Sequence, residues 1–239
     1  MQQTIRPEQV LPANQLKTAQ FLREYIFPHL PEQHFFLVGG TALALQYGHR
    51  QSVDFDFFSF PKGGTSDPAI ETVDRLFRRQ GIYQRRDVEI VYGQLHYQIN
   101  GVAVLFSVFQ NFSAEYEQEF YRILSLPTAK TAFAFDIPHI LDLAGMKAFA
   151  RCHRSKMKDL VDLAEILEQG FSLSDIISTA EQQFGYDISG KEILNACIDI
   201  KDVLENTLDE PITFLRGQRV EDYIAFLKTK ALELCNGDS

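Results

Sequence analysis

The chain has 239 residues, which is enough for one large domain or two small ones. Its 45% hydrophobic and 23% charged residues are typical of a globular protein, and its 20 Phe and no Trp predict a phenylalanine-rich core. The net charge of −9 argues against nonspecific DNA binding over the whole surface. No apolar run approaches the roughly 20 residues that span a bilayer, and the three cysteines are spaced neither as metal ligands nor as a disulfide framework.

The first third of the chain predicts alternating helices and strands. Gly39-Gly40 interrupts the first predicted strand, and Gly48 has the position of a helix C-cap. In chain order, the pattern predicts a helix over residues 7–30, a buried strand over 34–38, a helix over 41–48, a strand over 53–60 and a helix over 69–81.

The middle of the chain predicts consecutive strands, and the rest predicts helices. Asn100-Gly101 is a strong hairpin signal, which argues against a purely parallel sheet. We therefore expect an α+β fold with a mixed β-sheet and flanking helices over residues 1–135, followed by a helical bundle over 136–239. The strands are predicted over 87–93, 95–100 and 102–109, and the later helices over 138–151, 156–169, 173–184, 190–206 and 219–234.

Two aspartates stand in the apolar strand VDFDFFSF. Because side chains alternate between the two faces of a strand, Asp54 and Asp56 point the same way, while Phe55 and Phe57 point into the core. Two carboxylates about 6.6–7 Å apart along a strand repel each other unless a cation lies near both. Mg²⁺ satisfies them, since it prefers one or two carboxylates together with substrate phosphates. The structural alternative is that Arg50 is their buried partner.

A glycine turn lies between the first strand and the helix that follows it. Gly39 and Gly40 let the backbone approach a phosphate, and the unpaired first amides of a helix attract anions. The hydroxyl of Thr41 adds a hydrogen bond or caps the helix. Either motif alone is a weak signal. Together they follow the order of a strand, a glycine turn, a helix and an acidic strand. This order predicts a site for a nucleoside triphosphate and its metal.

These residues resemble the first motif of the nucleotidyltransferase superfamily related to DNA polymerase beta, with matches at Gly39, Gly40, Thr41, His49, Arg50, Ser52, Asp54 and Asp56. The specific form GGTAL…GHR-x-S-x-DFDFF is similar to the AbiEii/AbiGii toxin family. The resemblance implies a metal-dependent enzyme that uses a nucleoside triphosphate with Mg²⁺ or Mn²⁺. It further implies a toxin of a toxin–antitoxin or abortive-infection system; some members transfer nucleotides to RNA, including tRNA acceptor ends.

A second segment, GMKAFARCHRSKMKDLVDLAEIL at 145–167, is similar to another region of that family. The matching positions are Lys147, Arg151, Lys158, Asp159 and Asp162. Lys147 and Arg151 are four positions apart, and Asp162 lies three positions after Asp159 and four after Lys158. Helical spacing brings the members of each pair to one face. The alternative interpretation of this segment is a surface network of salt bridges.

The resemblance assigns roles residue by residue. It implies catalytic roles for Asp54, Asp56, Lys147 and Asp159, metal binding by Asp54 and Asp56, and nucleotide binding by Gly39, Gly40, Thr41, Arg50 and Lys158. Because residues 37–60 supply phosphate binding and two metal ligands but no evident base, we expect activity to depend on the Lys147–Asp162 segment reaching back over the acidic strand.

The third carboxylate that the superfamily usually supplies has no match here. It is expected near Leu105, where Ser107 is the nearest polar residue, and Glu89 on the preceding strand is a possible substitute. Such a carboxylate acts as general base or completes a second metal site. Three options follow: Asp159 or Asp162 is the base, the enzyme uses one metal, or catalysis is degraded.

We therefore expect a cytoplasmic enzyme that transfers a nucleoside monophosphate to an acceptor, with RNA, such as tRNA, as the expected acceptor. A cognate antitoxin protein is the expected partner, with no membrane association. The alternative is a catalytically degenerate binding protein on the same scaffold. A P-loop kinase and a metalloprotease are disfavoured, because the sequence contains neither G-x-x-x-x-G-K-[ST] nor H-E-x-x-H.

Overall fold

The computed structural model describes residues 5–31, 34–60, 67–85, 87, 91–109, 129–130, 133–206 and 211–237. These residues form two compact units. The first contains the described residues up to Pro138, and the second contains those from His139 onward. That 1–135 and 136–239 fold as separate domains stays a prediction.

In the first unit, the described residues form a mixed sheet of six strands. The strands are β1 (Phe35–Val38), β2 (Asp54–Ser59), β3 (Gln94–Ile99), β4 (Val102–Val108), β5 (Ala129–Lys130) and β6 (Asp136–Ile137). Their order across the sheet is β3-β4-β2-β1-β6-β5. β2 is parallel to β4 and antiparallel to β1, β6 is parallel to β1, and the β3–β4 and β5–β6 pairs are antiparallel. The predicted mixed sheet is confirmed.

Phenylalanine rings form the core on one face of this sheet. Phe57 is fully buried, and its ring centroid lies 4.9 to 5.1 Å from those of Phe27, Phe106 and Phe135. Offset and edge-on ring pairs at such distances add about 0.5–1.5 kcal/mol to the stabilisation from burial alone. The alternation of β2 therefore fixes which face of the strand points away from the core.

The helices of the first unit are α1 (Pro7–Val10), α2 (Ala13–Phe21), α3 (Gly39–Tyr47) and α4 (Pro68–Arg79). The chain continues from α2 through a π-helical turn at Leu22–Ile26 and a 3₁₀ turn at Phe27–His29. The prediction of one helix over 7–30 was wrong, since Leu11 is extended. A residue that precedes proline disfavours the helical conformation, and Leu11 precedes Pro12.

Other predictions for this unit had mixed outcomes. Gly48 is left-handed and ends α3 as expected, and Asn100-Gly101 forms the turn between β3 and β4. The strand predicted over 87–93 was wrong at its described end, because Tyr92 and Gly93 form a turn. Residues 88–90, which include Glu89, lie outside the described residues.

The second unit is helical in its described part. Its helices are α5 (Ile140–His153), α6 (Met157–Glu168), α7 (Leu173–Phe184), α8 (Gly190–Ile198), α9 (Lys201–Leu204) and α10 (Val220–Gly237). The predicted helix over 190–206 is interrupted, since α8 ends at Ile198 with Asp199 extended. The other predicted helices are confirmed with small shifts at their ends, so the α+β architecture followed by helices is confirmed. Among the helices of the described ranges, none is both long and apolar enough to cross a membrane.

Candidate active site

The two aspartates of β2 share the face of the strand that points away from the core. Phe55 and Phe57 are fully buried on the other face, whereas Asp54 and Asp56 are half-buried. This is the arrangement that the alternation of VDFDFFSF predicts. Burial of the two rings therefore holds the two carboxylates on one side.

Gly39 lies directly beside the second carboxylate. β1 pairs with β2 so that Val38 is opposite Asp56, and Gly39 begins α3 immediately after Val38. Gly39 has a φ of +67°, and a Cβ atom placed on it would lie 3.0 Å from Asp56 Oδ2. A glycine is required here both for the left-handed backbone and for the close approach of the carboxylate.

The N-terminus of α3 has no side-chain cap from the residue that precedes it. That residue is Val38, so the first amides, those of Gly39, Gly40 and Thr41, are not capped by its side chain. Gly39 and Gly40 are half-buried, beside the acidic strand. Helix termini of this kind attract negatively charged groups.

The side chain of Thr41 points inward. It is almost fully buried, and its hydroxyl donates to the backbone carbonyl of Asp54 at 2.5 Å. The hydroxyl of Ser52 lies 2.7 Å from Thr41 Oγ1 and is left to donate to it. Thr41 Oγ1 also lies 3.4 Å from Asp54 Oδ1. Thr41 thus ties α3 to the start of β2 through its hydroxyl.

His49 and Arg50 precede the acidic strand and are both buried. Arg50 Nη1 donates to the carbonyl of Gln51 at 3.0 Å. This places the guanidinium group close to the start of the strand that carries Asp54. The nucleotide-binding role predicted for Arg50 stays a prediction.

The position expected for a third carboxylate is occupied by Leu105. β2 and β4 pair so that Asp56 is beside Leu105, and Ser107 is beside Phe58. The register of β3 places His96 on the far side of Leu105. The row across the sheet therefore runs Asp56, Leu105, His96. Glu89, the possible substitute, lies outside the described residues.

His96 is a polar residue on this face that the sequence reasoning did not place there. Its Nε2–H donates to the side-chain oxygen of Gln94 at 3.2 Å. Burial, and to a smaller extent the charge of Arg85, lower the pKa of His96, so the imidazole is neutral at pH 7. The alternation of LHYQIN is a signal that could have assigned His96 to the same face as the aspartates.

In the second unit, Lys147 lies between two buried carboxylates. Its Nζ is 2.8 Å from Asp159 Oδ1 and 2.9 Å from Asp162 Oδ2, and both aspartates are fully buried. Lys147 itself is only 4% exposed. The alternative of a surface salt-bridge network is therefore wrong for these three residues, because their ion pairs are internal.

Arg154 completes this cluster, and sequence reasoning missed it. Its Nε and Nη2 both donate to Asp159, at 2.7 and 2.9 Å. Burial alone would raise the pKa of Asp159, but the charge of Lys147 and the bonds from Arg154 outweigh it, so the pKa lies below its ordinary value. Such a carboxylate is a poor proton acceptor at neutral pH.

The remaining cations of this segment have separate positions. Arg151 is buried and forms a two-pronged ion pair with Asp202, with both bonds at 2.8 Å. Lys158 is half-buried at the start of α6. Lys147, Arg151 and Arg154 therefore neutralise carboxylates of their own unit.

The residues of β2 fit a divalent metal that has ligands besides the protein. Within the described ranges, no three His, Cys, Asp or Glu side chains converge as metal ligands. Asp54 and Asp56 provide two carboxylates. Mg²⁺ takes one or two carboxylates when phosphates and water complete its coordination shell. A side chain at residue 39 would collide with the Asp56 carboxylate, since a Cβ atom there would lie 3.0 Å from Asp56 Oδ2.

Sequence comparison identifies relatives of this chain. A family model described as the nucleotidyl transferase AbiEii toxin of type IV toxin–antitoxin systems matches residues 20–227. An uncharacterized protein of Aquifex aeolicus (strain VF5) is 30% identical over 178 residues, which cover 74% of this chain and 78% of that protein.

Two solved structures have a similar fold. The nucleotidyltransferase toxin MenT4 from Mycobacterium tuberculosis H37Rv aligns with a TM-score of 0.54 at 15% identity, covering 92% of this chain and 82% of that chain. A protein of H. pylori assigned as a nucleotidyltransferase aligns with a TM-score of 0.50 at 17% identity, covering 93% and 92%. The nucleotidyltransferase-like fold expected from the sequence is thereby confirmed.

The contact between Gly39 and Asp56 predicts a difference between two glycine substitutions. Gly39 and Gly81 both have positive φ, +67° and +72°, so alanine at either position carries strain, roughly 1–2 kcal/mol. The added Cβ meets Asp56 Oδ2 at 3.0 Å in the first case and nothing within 4 Å in the second. We expect Gly39→Ala to lower the free energy of unfolding more than Gly81→Ala, as measured by urea denaturation.

Asp56→Ala supplies the control for this comparison. Once the carboxylate is removed, Gly39→Ala should cost no more than Gly81→Ala. Equal costs of the two glycine substitutions in the wild-type chain would contradict the close approach of Asp56 to Gly39.

The buried ion pairs predict that Lys147→Met destabilises the protein strongly. The substitution removes the cation shared by two buried carboxylates, a change that costs about 3–5 kcal/mol. Lys191→Met is the matched control, because Lys191 is exposed on α8, and we expect it to change the stability by no more than about 0.5 kcal/mol. Similar urea-unfolding midpoints for the two variants would show that Lys147 is not an internal ion-pair residue.

Proposed function

The chain belongs to the AbiEii family of nucleotidyl transferase toxins of type IV toxin–antitoxin systems, and we propose that it transfers a nucleoside monophosphate to a hydroxyl group of RNA, with tRNA as the acceptor class. The acceptor hydroxyl oxygen bonds to the α-phosphorus of a nucleoside triphosphate. The bond from that phosphorus to the oxygen bridging to the β-phosphate breaks, pyrophosphate leaves, and the hydroxyl proton goes to a base. The RNA acceptor rests on the family resemblance of the sequence.

The close approach of Gly39 to Asp56 carries the proposal. It brings the first residue of α3, a helix that receives no side-chain cap from Val38, into contact with Asp56, and Asp54 shares the same face of β2. The first amides of α3 then hold the triphosphate, while Asp54 and Asp56 lie beside its phosphates. A triphosphate and a carboxylate pair repel each other, so their juxtaposition requires a cation.

Asp54 and Asp56 would hold Mg²⁺ or Mn²⁺ in this proposal. When bound, the metal supplies charge stabilisation at the phosphates and orients the reacting oxygens. The chain's own contribution is to fix both carboxylates, through the buried rings of Phe55 and Phe57 and through the bond from Thr41 to the Asp54 carbonyl. Arg50 and Lys158 add positive charge for the phosphates.

Lys147 and Asp159 enter the proposal as positioning residues. Their mutual bond and their burial support a role in holding Arg154, whose side chain is 50% exposed and able to meet an anion. Asp159 is an unsuitable base because two cations hold it ionised.

A second candidate function follows from Leu105. An apolar side chain occupies the position beside Asp56 where a third carboxylate is expected. The alternative is a catalytically degenerate protein that binds a nucleotide or an antitoxin on this scaffold. In both versions we propose a cognate antitoxin as partner and the cytoplasm as location, the latter supported by the absence of disulfides among the described cysteines.

Incubation with radiolabelled nucleoside triphosphates, Mg²⁺ and total tRNA tests the proposal. We expect the wild type to label tRNA, and the Asp54→Ala/Asp56→Ala variant to fall to the level of the reaction without enzyme. The reason is that the variant lacks both carboxylates beside the helix N-terminus. Asp187→Ala is the control, since Asp187 is exposed in the second unit and should leave labelling unchanged.

Two outcomes would reject the enzyme assignment. One is an absence of labelling by the wild type, and the other is equal labelling by the wild type and the double variant. If Asp56→Ala then leaves cellular toxicity and antitoxin binding intact, the degenerate scaffold is the correct alternative.

Asp159→Asn, assayed where circular dichroism shows it folded, should raise the KM for the triphosphate, which a purely structural residue would not do.

A further inference from the structure

A groove of about 560 Å³ runs along α4 beside the first residues of β3. α4 presents its apolar side to the sheet, where Phe77 stacks on Tyr97 with ring centroids 4.0 Å apart. The opposite side of the helix carries the charged residues. The groove is lined by Ile70, Glu71, Asp74, Arg75, Arg78, Arg79, Gln84 and Leu95.

The groove is positively charged although the whole chain has a net charge of −9. Three arginines face two acidic residues in its lining. Asp74 is already engaged: it accepts hydrogen bonds from Arg78 at 2.7 Å and from Gln84 and Tyr97 at 3.0 and 2.9 Å. Glu71 is therefore the acidic residue that opposes the remaining positive charge.

Arg75 and Arg79 supply that charge. Within the described part of the chain, Arg79 forms no ion pair, and Arg75 donates only to the hydroxyl of Thr72, at 3.1 Å. Both side chains belong to exposed residues, and they are four positions apart on α4. Residues at this spacing lie on one helix face with their Cβ atoms about 5–6 Å apart, close to the separation of successive phosphates in an extended strand.

An exposed aromatic residue adjoins the groove in sequence. Tyr83 is 65% exposed and directly precedes Gln84 of the groove. Gln84 donates to Asp74 at 3.0 Å, which ties the residue after Tyr83 to the groove. Proteins that bind single-stranded nucleic acids combine exposed aromatic rings, on which bases stack, with basic side chains that contact the phosphates.

We infer that this groove binds a single-stranded segment of the RNA acceptor, with Arg75 and Arg79 on its phosphates and Tyr83 stacked on a base. The choice of RNA rests on the proposed function. Lys147 and Arg151 are less suited to the same task, because they are buried in internal ion pairs. An acidic protein segment would use the arginines but would leave the exposed ring without a role.

The groove is separate from the acidic strand. α4 packs on the phenylalanine face of the sheet, since Phe77 also contacts Phe106, whereas Asp54 and Asp56 are on the opposite face. β3 is an edge strand in the described sheet. RNA held in the groove therefore passes around this edge before it reaches the aspartates, so the groove anchors the acceptor at a distance from its reacting end.

Salt-dependent binding of a fluorescein-labelled single-stranded RNA tests the inference. An oligonucleotide of about 12 nucleotides matches the size of such sites. Each phosphate contact contributes about 0.7 to the slope of log K against log salt. We expect Arg75→Gln/Arg79→Gln to weaken binding and to reduce this slope by about 1.4. Tyr83→Ala should weaken binding about fivefold or more and leave the slope unchanged.

The matched control is Lys191→Gln/Lys201→Gln, which removes two exposed positive charges from the second unit and should change neither affinity nor slope. Wild-type affinity and slope in the double arginine variant would overturn the inference, as would the absence of RNA binding by the wild type. Tighter binding of labelled polyglutamate than of RNA, lost in the arginine variant, would assign the groove to an acidic protein segment instead.

These outcomes are independent of the proposed reaction. RNA binding through the groove without nucleotide transfer by the wild type would reject the enzyme assignment and retain the RNA-binding site. Transfer to tRNA that is insensitive to Arg75→Gln/Arg79→Gln, with unchanged binding, would retain the enzyme assignment and reject the groove.

Discussion

The alternation of one strand fixes the geometry on which the candidate site depends. Phe55 and Phe57 are fully buried on one face of β2, so Asp54 and Asp56 are held on the other. The adjacent start of α3 is set by the same strand, through the pairing of Val38 with Asp56. A one-residue slip of β2 would bury both carboxylates and expose the rings. The apolar core thus selects the register that keeps the acidic pair accessible.

The charged residues have different surroundings in the two units. In the first, two carboxylates on one face of β2 lie near the start of α3, which receives no side-chain cap from Val38. In the second, Lys147 is held by two carboxylates that are fully buried. Charges buried in this way require their partners, because an unpaired charge in the interior is costly. The second arrangement therefore gives a fixed position to a neighbouring exposed cation, Arg154.

Local patterns predicted the acidic strand and most helices of this chain. The alternation of VDFDFFSF and the glycines at 39, 40 and 48 each have a direct physical meaning for the backbone, so they could be interpreted without a structure. The extended conformation of Leu11 could have been predicted from Pro12, because a residue that precedes proline disfavours the helical conformation. The interruption of the helix at Asp199 has no comparable signal in the sequence.

Features that depend on long-range contacts could not be read from the sequence. β5 and β6 are two residues each and exist through pairing, so local propensity does not reveal them. The burial of Lys147 depends on two aspartates more than ten positions away, and a charged run usually lies on the surface. His96 enters the acidic face only through the register of β3 with β4. Sheet register and tertiary burial are therefore the features of the candidate site that the sequence alone did not reveal.

A crystal structure with Mn²⁺ and a nonhydrolysable nucleoside triphosphate is the most direct test of the central claim, that Gly39–Thr41 and the acidic pair form one nucleotide site. We predict an anomalous peak at metal-bonding distance, about 2.0–2.3 Å, from carboxylate oxygens of both Asp54 and Asp56. Triphosphate density should reach the first amides of α3. A triphosphate bound elsewhere, or bound at α3 with no metal peak between the two aspartates, would contradict the account.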